Sequence, residues 1–440
     1  MATTQLNKTL GTPTNNYKWT ISCWVKRASL GDQTIMSARV DGSNNARLYF
    51  NSSNQLSIVD YQSTNKMELV TSSVYRDVGA FYNIVVSSDN SLGSPVTKMY
   101  VNGVETTNGT STQYSQNQAN LWNSAIAHYI GQNGASASYY NGLISYFAFV
   151  DGTAYDQSYF GEVDSSSGIW KIKTAPSVTY GNNGFLLKMD TSSPGTDTSG
   201  KSNTFTASGT PTLTQDNASN NFCTMNPLDN YFPNYTFANG NTTCTTGGNY
   251  SFPQSSFYLE SGKWYWEVKP ISKAGGGDEY MIGVAGRSAS ATNQPPHNAA
   301  NGGIVVYGVD GDTYATGAAG VNYGVAFTAG DIIGVALDLT NSKIYWSKNG
   351  TWMNSANPAG NTGGASLPTT AALTPQGAYS PVVGFYDTPA AVLSANFGNG
   401  FFGTTAVTSS NADAAGHGLM EYAVPTGYYT LNTKNLNTYG

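Results

Sequence analysis

Charged side chains are scarce, making up 10% of the 440 residues against about 25% in an average globular protein. Charge is not what keeps this surface wet. The 20 Lys plus Arg are outnumbered by 26 Asp plus Glu and never gather into a run, which leaves no electrostatic footprint for a phosphate backbone. The expectation is no nucleic-acid partner. Cysteine is limited to Cys23, Cys223 and Cys244, and none lies in metal-ligand spacing with His128, His297 or His417. They read as reduced, packed thiols, and neither metal nor cofactor is expected. No apolar stretch reaches the roughly 18 residues of a membrane span. Residues 1–10 lack the apolar core of a signal peptide, so the chain is expected to stay where it is made, with no membrane contact.

What is abundant is neutral polarity and aromatic surface: 49 glycines and 30 tyrosines, with aromatics at 12%, set among Asn, Ser and Thr. That mixture suits short strands and many tight turns. Disordered chains lack such aromatic content. Asn-x-Ser/Thr triplets beginning at Asn108, Asn241 and Asn349 are read as turn chemistry, not glycosylation acceptors.

The length exceeds what one core usually serves, which points to two domains. Trp19, Ile21, Cys23 and Val25 alternate with Thr20, Ser22 and Trp24, the pattern of a half-buried strand. Residues 98–101 run into Asn102-Gly103, a favoured two-residue hairpin turn, and residues 344–346 precede the matching Asn349-Gly350. Residues 332–337 are continuously apolar, as in a central strand. Between these regions, residues 191–201 contain no large apolar side chain. The expected division is residues 1–180 as a first sandwich, 181–221 as a linker, 222–405 as a second sandwich, and 406–440 as a C-terminal segment for attachment or oligomer contact. The fold class is all-β, two antiparallel β-sandwiches in series.

In the first half the ordered landmarks Trp19-Thr20-Ile21-Ser22-Cys23-Trp24-Val25-Lys26, Phe81-Tyr82-Asn83-Ile84-Val85-Val86, Met99-Tyr100-Val101-Asn102-Gly103, Ile130-Gly131-Gln132 and Tyr140-Asn141-Gly142-Leu143-Ile144 resemble concanavalin A-like, laminin-G-type jelly rolls. Asn83 stands where that family usually has histidine. In the second half Gly262-Lys263-Trp264-Tyr265-Trp266-Glu267-Val268, Gly330-Asp331-Ile332-Ile333-Gly334-Val335-Ala336-Leu337-Asp338, Ile344-Tyr345-Trp346-Ser347-Lys348-Asn349-Gly350 and Ala395-Asn396-Phe397-Gly398 resemble a SPRY domain, a bent β-sandwich used for binding. The stretches Ser199-Gly200-Lys201-Ser202-Asn203-Thr204-Phe205-Thr206, Asn221-Phe222-Cys223-Thr224-Met225-Asn226-Pro227-Leu228 and Val424-Pro425-Thr426-Gly427-Tyr428, with the run from Leu431 to Leu436, resemble structural proteins of tailed bacteriophages of marine bacteria.

Catalytic patterns are missing. No acidic residues alternate along a strand to supply the carboxyl pair, about 5 Å apart, of a retaining glycosidase. No histidine accompanies a nucleophile elbow. Gly275-Gly276-Gly277 lacks the Lys-Ser/Thr of a phosphate loop and is followed by Asp278 and Glu279. Asp310-Gly311-Asp312 reads first as a turn, and as a calcium pair it lacks further oxygens. Binding remains, with Tyr139, Tyr140, Tyr314 and Tyr323 as candidate ligand contacts near turn-rich segments. Together with the phage resemblance, this implies a non-enzymatic virion surface protein made in host cytoplasm, a capsid decoration or short fibre displaying lectin-like domains. Its expected partners are other virion proteins, further copies of itself as a homo-oligomer, and a host surface glycan. The alternatives are a tail-fibre receptor-binding protein for host attachment and a glycan hydrolase.

Overall fold

A computed structural model describes residues 4–165, 167–228, 235–247, 251–286, 295–298, 302–315, 317–368, 377–386 and 390–440. The chain divides into two units, Met1–Leu213 with Asn217–Ser219, and Thr214–Asp216 with Asn220–Gly440. Both are antiparallel β-sandwiches, so the all-β, two-sandwich fold class is what the protein adopts.

In the first unit a six-stranded sheet runs in the order Phe185–Leu187, Gly142–Asp151, Lys18–Arg27, Tyr82–Asp89, Val96–Val101, Val104–Glu105. An eight-stranded sheet includes Asn65–Val74, Gln55–Gln62, Asn44–Phe50 and Gln33–Arg39 as consecutive neighbours. Trp19, Ile21, Cys23 and Val25 meet Met36, Leu48, Ile58 and Leu69 in the core between them. The expected half-buried strand is corrected, because Thr20, Ser22 and Trp24 on its other face are buried too. The outer face of the six-stranded sheet carries a second apolar cluster of Val85, Ala148, Val150, Phe160 and Leu186, with Tyr155, Val178 and Tyr180 packed on it. A period of two shows which residues share a face; it does not show whether a later segment covers that face.

Residues 181–221, expected as a linker, carry strands of the first unit. Phe185–Leu187 pairs with Gly142–Asp151, and Thr206–Ser208 pairs with Gln5–Thr9. The polar run between them is a set of side-chain-stabilised turns: the Asp197 carboxylate accepts from the backbone N–H of Leu186, Ser199 and Asn203 at 2.8–2.9 Å. Asn203 donates to the Asn182 and Gly184 carbonyls. Polar composition here means local backbone satisfaction, not a free connector. Elsewhere in the unit neutral amides do the same work that charge does in other proteins. Asp151 accepts from Asn123 Nδ2 at 2.7 Å and from the backbone N–H of Thr14 and Asn183.

The second unit packs a nine-stranded sheet against a four-stranded one. In the larger sheet Ala391–Asn396, Lys263–Lys273, Ile333–Asp338 and Lys343–Lys348 are consecutive neighbours. Residues 332–337 lie at its centre as their apolar run predicts, and Ile333–Asp338 is buried throughout. Both Asn-Gly turns form, with Asn102 and Gly103 at φ 49° and 80° and Asn349 and Gly350 at φ 48° and 80°. These left-handed pairs match the twist of a two-residue hairpin. The C-terminal segment belongs to this unit: Tyr429–Thr430 pairs in parallel with Lys263–Lys273, and Met420 and Tyr428 are buried against Tyr265, Ala336 and Tyr345. Its short helix, Thr433–Tyr439, is capped by the Asn432 side chain, which accepts from the Asn435 N–H at 3.0 Å.

Candidate functional site

The four-stranded sheet of the second unit runs Thr313–Ala315, Ile304–Tyr307, Tyr280–Gly286, Tyr379–Phe385. Its alternation is strict: Tyr280, Ile282, Val284, Ile304 and Val306 enter the main core. The opposite face carries a separate cluster of Met281, Ala285, Val305 and Val382 with Phe252, bordered by partly buried Tyr307, Tyr314 and Tyr386. Register brings Tyr307 opposite Met281, and Tyr314 opposite Val305. Gly283 and Gly384 thin the sheet; a Cβ at Gly384 would fall 2.2 Å from the Phe252 ring.

Four rings close a circuit on this face. Tyr307 meets Tyr314 at 5.6 Å between centroids and 84°. Tyr314 meets His297 at 5.4 Å, His297 meets Tyr386 at 6.5 Å, and Tyr386 returns to Tyr307 at 6.2 Å. All four are half-buried. Such tilted contacts place positive ring edges against negative faces. Burial pushes His297 down to about 4, so its imidazole is neutral at physiological pH, and its Nδ1 is enclosed without a hydrogen-bond partner.

The surroundings are acidic. Burial first, and then the nearby Asp310 carboxylate, raise the Tyr314 phenol, and Asp310 Oδ1 accepts from the Asp312 N–H at 2.9 Å. Gly320 crosses the tip of Tyr314, where an added Cβ would meet the phenol oxygen at 2.8 Å and an Asp312 carboxylate oxygen at 3.0 Å. Desolvation, then the neighbouring Asp310, holds Asp312 above the usual carboxylate range. Burial and then Glu279 raise Tyr307. Uncharged phenols and anionic carboxylates together can host a cation or a donor-rich group, and would repel an anion.

Of the four tyrosines marked in the sequence, only Tyr314 lies in this circuit. Tyr323 is 5% exposed and packs edge-on to Trp346 at 5.3 Å inside the core. Tyr139 and Tyr140 belong to the first unit, where Tyr139 is half-buried and Tyr140 packs on that unit's core with its hydroxyl enclosed. Asp310 and Asp312 form the turn read from their spacing and stand beside Tyr314. Among the described residues no three His, Cys, Asp or Glu side chains gather as metal ligands. His297, Tyr307 and Tyr386 were missed. Alternation along residues 304–307 would have put Tyr307 on an outer face, but joining it to Tyr386 requires the sheet order.

Residues 3–157 match the Concanavalin A-like lectin/glucanases superfamily, and residues 263–399 match the SPRY domain. Both resemblances read from the sequence landmarks are thereby met. Ran-binding protein 9 of Danio rerio is 34% identical over 31% of this chain and 20% of its own length. Ran-binding protein 9 of Homo sapiens is 33% identical over 31% of this chain and 16% of its own. The chain thus spans a fifth or less of these relatives. Among solved structures, the SPRY domain of human HERC1 is similar at 19% identity and a TM-score of 0.29, over 37% of this chain and 91% of that one.

These relatives overturn the phage expectation. Proteins named Ran-binding protein 9 or 10, from vertebrates, are not virion components. The virion surface role as capsid decoration or fibre, the host-attachment and glycan-hydrolase alternatives, the virion and host-glycan partners and the virion location are corrected accordingly. The stretches that carried the phage resemblance have structural roles instead. Asn203 and Phe205 close turns and core in the first unit, and Cys223, Met225, Tyr428 and Leu431 are buried in the second.

Proposed function

We propose that this chain is a non-catalytic binding protein that recognises a polypeptide through the aromatic face of its SPRY unit. The observation that carries the reading is the closed circuit of His297, Tyr307, Tyr314 and Tyr386 on the side of the four-stranded sheet turned away from the main core. A sheet needs only one buried face for stability, so half-buried tyrosines gathered on the other are surface available for recognition. Their amphipathic rings supply contact area at low conformational cost. The relatives named for binding Ran match this chain over a length close to that of its SPRY match, which makes a folded or peptidic protein the class of ligand to test first.

The test is selection of peptides from a random library by the full chain, followed by titration of the selected peptides against Tyr386→Leu and Tyr314→Leu. These variants are expected to weaken binding about tenfold each, the loss of one aromatic contact, with unchanged melting of the second unit. Selected peptides that bind both variants as tightly as the parent chain would overturn the reading.

A further inference from the structure

The formal charge of −6 is not shared between the two units. The first holds 13 acidic and 13 basic residues, and the second holds 13 acidic against 7 basic. The excess has a local expression beside the ring circuit, where Asp310 and Asp312 stand two residues apart, the Asp312 N–H donating to Asp310 Oδ1 at 2.9 Å, and both carboxylates act on the Tyr314 phenol. Five of the six described lysines of this unit are engaged elsewhere: Lys263 with Asp338 at 2.9 Å, Lys273 with Asp278 at 3.0 Å, Lys348 with Asp331 at 3.1 Å, Lys343 with the Asn361 carbonyl at 3.0 Å and Lys269 over the Phe402 ring. Among the described residues no Lys or Arg pairs with Asp310 or Asp312. A like-charged pair without a counter-ion among the described residues, next to four rings whose faces carry negative quadrupole, is complementary to a cation.

Resting on the binding function proposed above, we infer that the circuit of His297, Tyr307, Tyr314 and Tyr386 receives a lysine or arginine side chain of the polypeptide partner, with Asp310 and Asp312 closing on its charge. An anionic partner meets carboxylates that no described Lys or Arg pairs, and a purely apolar one leaves the His297 Nδ1 without a partner. A cationic side chain meets both conditions at once: its alkyl stem lies against the half-buried rings of Tyr307, Tyr314 and Tyr386, which cover the Met281 and Val305 core, while its head meets ring faces and carboxylates. His297 assists by being neutral, since its unpartnered Nδ1 adds no opposing charge.

The experiment uses the full chain and library-selected peptides, each remade with Lys and Arg replaced by Gln, in fluorescence anisotropy at low and high salt. The selected peptides are expected to be basic, and their neutral versions to bind at least about tenfold more weakly. Binding should fall with salt. The variant Asp310→Asn/Asp312→Asn, which leaves every core residue in place, should lose about tenfold with unchanged melting. Two results overturn the inference and leave the binding function standing: neutral or acidic peptides that depend on Tyr386 but not on the aspartates, or basic peptides indifferent to loss of their charges. Peptides that ignore Tyr386→Leu remove both. Free arginine or tetramethylammonium competing as tightly as the peptide would place the specificity in a small amine and overturn the polypeptide assignment.

Discussion

Glu267 is a carboxylate with no exposure, held on the central strand Lys263–Lys273 by four donors. The backbone N–H groups of Glu421 and Tyr422 reach its two oxygens at 2.9 and 2.8 Å, joined by the Tyr265 hydroxyl at 3.2 Å and Asn396 Nδ2 at 3.3 Å. Desolvation outweighs these donors and pushes the group up to about 7 from 4.5. A folded state that holds its proton more tightly than the unfolded chain loses stability as pH rises through that interval. The second unit should therefore melt lower at pH 7 than at pH 5, by up to about 3 kcal/mol at roughly 1.4 kcal/mol per pKa unit. Glu267→Gln should flatten that slope while losing one acceptor for the Glu421 and Tyr422 N–H groups; calorimetry from pH 5 to 8 checks it, and a wild-type melting temperature rising over this range would refute it. Asn83 makes the same point for the first unit. Standing where the resembled family has histidine, it is buried and accepts from Trp170 Nε1 at 2.9 Å while donating to the Cys23 carbonyl. Asn83→Ala leaves both groups unpaired, at a cost of about 1–3 kcal/mol, readable as a lower denaturation midpoint.

Among the elements, turns and strands were legible wherever the signal was local. Asn102-Gly103 and Asn349-Gly350 announce hairpins because few residues besides Asn and Gly accept φ near +50° and +80°. Gly103 also shows what a turn signal omits, since its missing Cβ would stand 2.4 Å from the Trp170 ring. Gly103→Ala should thus cost roughly 2–4 kcal/mol, combining backbone strain with overpacking. Gly31, at φ 99° with nothing within 4 Å of its missing Cβ, should cost only about 1 kcal/mol; equal denaturation midpoints for the two alanine variants would sink this ranking. Non-local facts were the ones hidden. The polar run after Leu187 looked like a connector because the Asp197 and Asn203 hydrogen bonds that fix it leave no apolar period. Tyr307, Tyr314 and Tyr386 are separated in sequence, and only the pairing of Tyr280–Gly286 with both Ile304–Tyr307 and Tyr379–Phe385 puts them on one face. Tyr323 was misleading for the converse reason, as a turn-rich neighbourhood says nothing about which way a ring points.

At the scale of the whole molecule, each unit has its own core, so heating the full chain should show two calorimetric transitions. The C-terminal segment should govern one of them. Met420, Tyr428 and Leu431 are buried completely, and Asp413 braces the segment by accepting from the Thr430 N–H at 2.9 Å and from Asn435 Nδ2 at 2.7 Å. Ending the chain after Ser410 removes these three side chains and the N–H donors of Glu421 and Tyr422, leaving the Glu267 carboxylate under-satisfied and Tyr265 and Tyr345 uncovered. Burial of each large apolar side chain contributes about 1.5–3 kcal/mol, so the loss is of the order of a typical domain's whole stability, about 5–15 kcal/mol. The truncated chain is expected to lose the transition of the second unit and to bind a hydrophobic dye, while the other transition keeps its temperature. If both transitions survived truncation unchanged, the segment would be an appendage, not a layer of the SPRY unit.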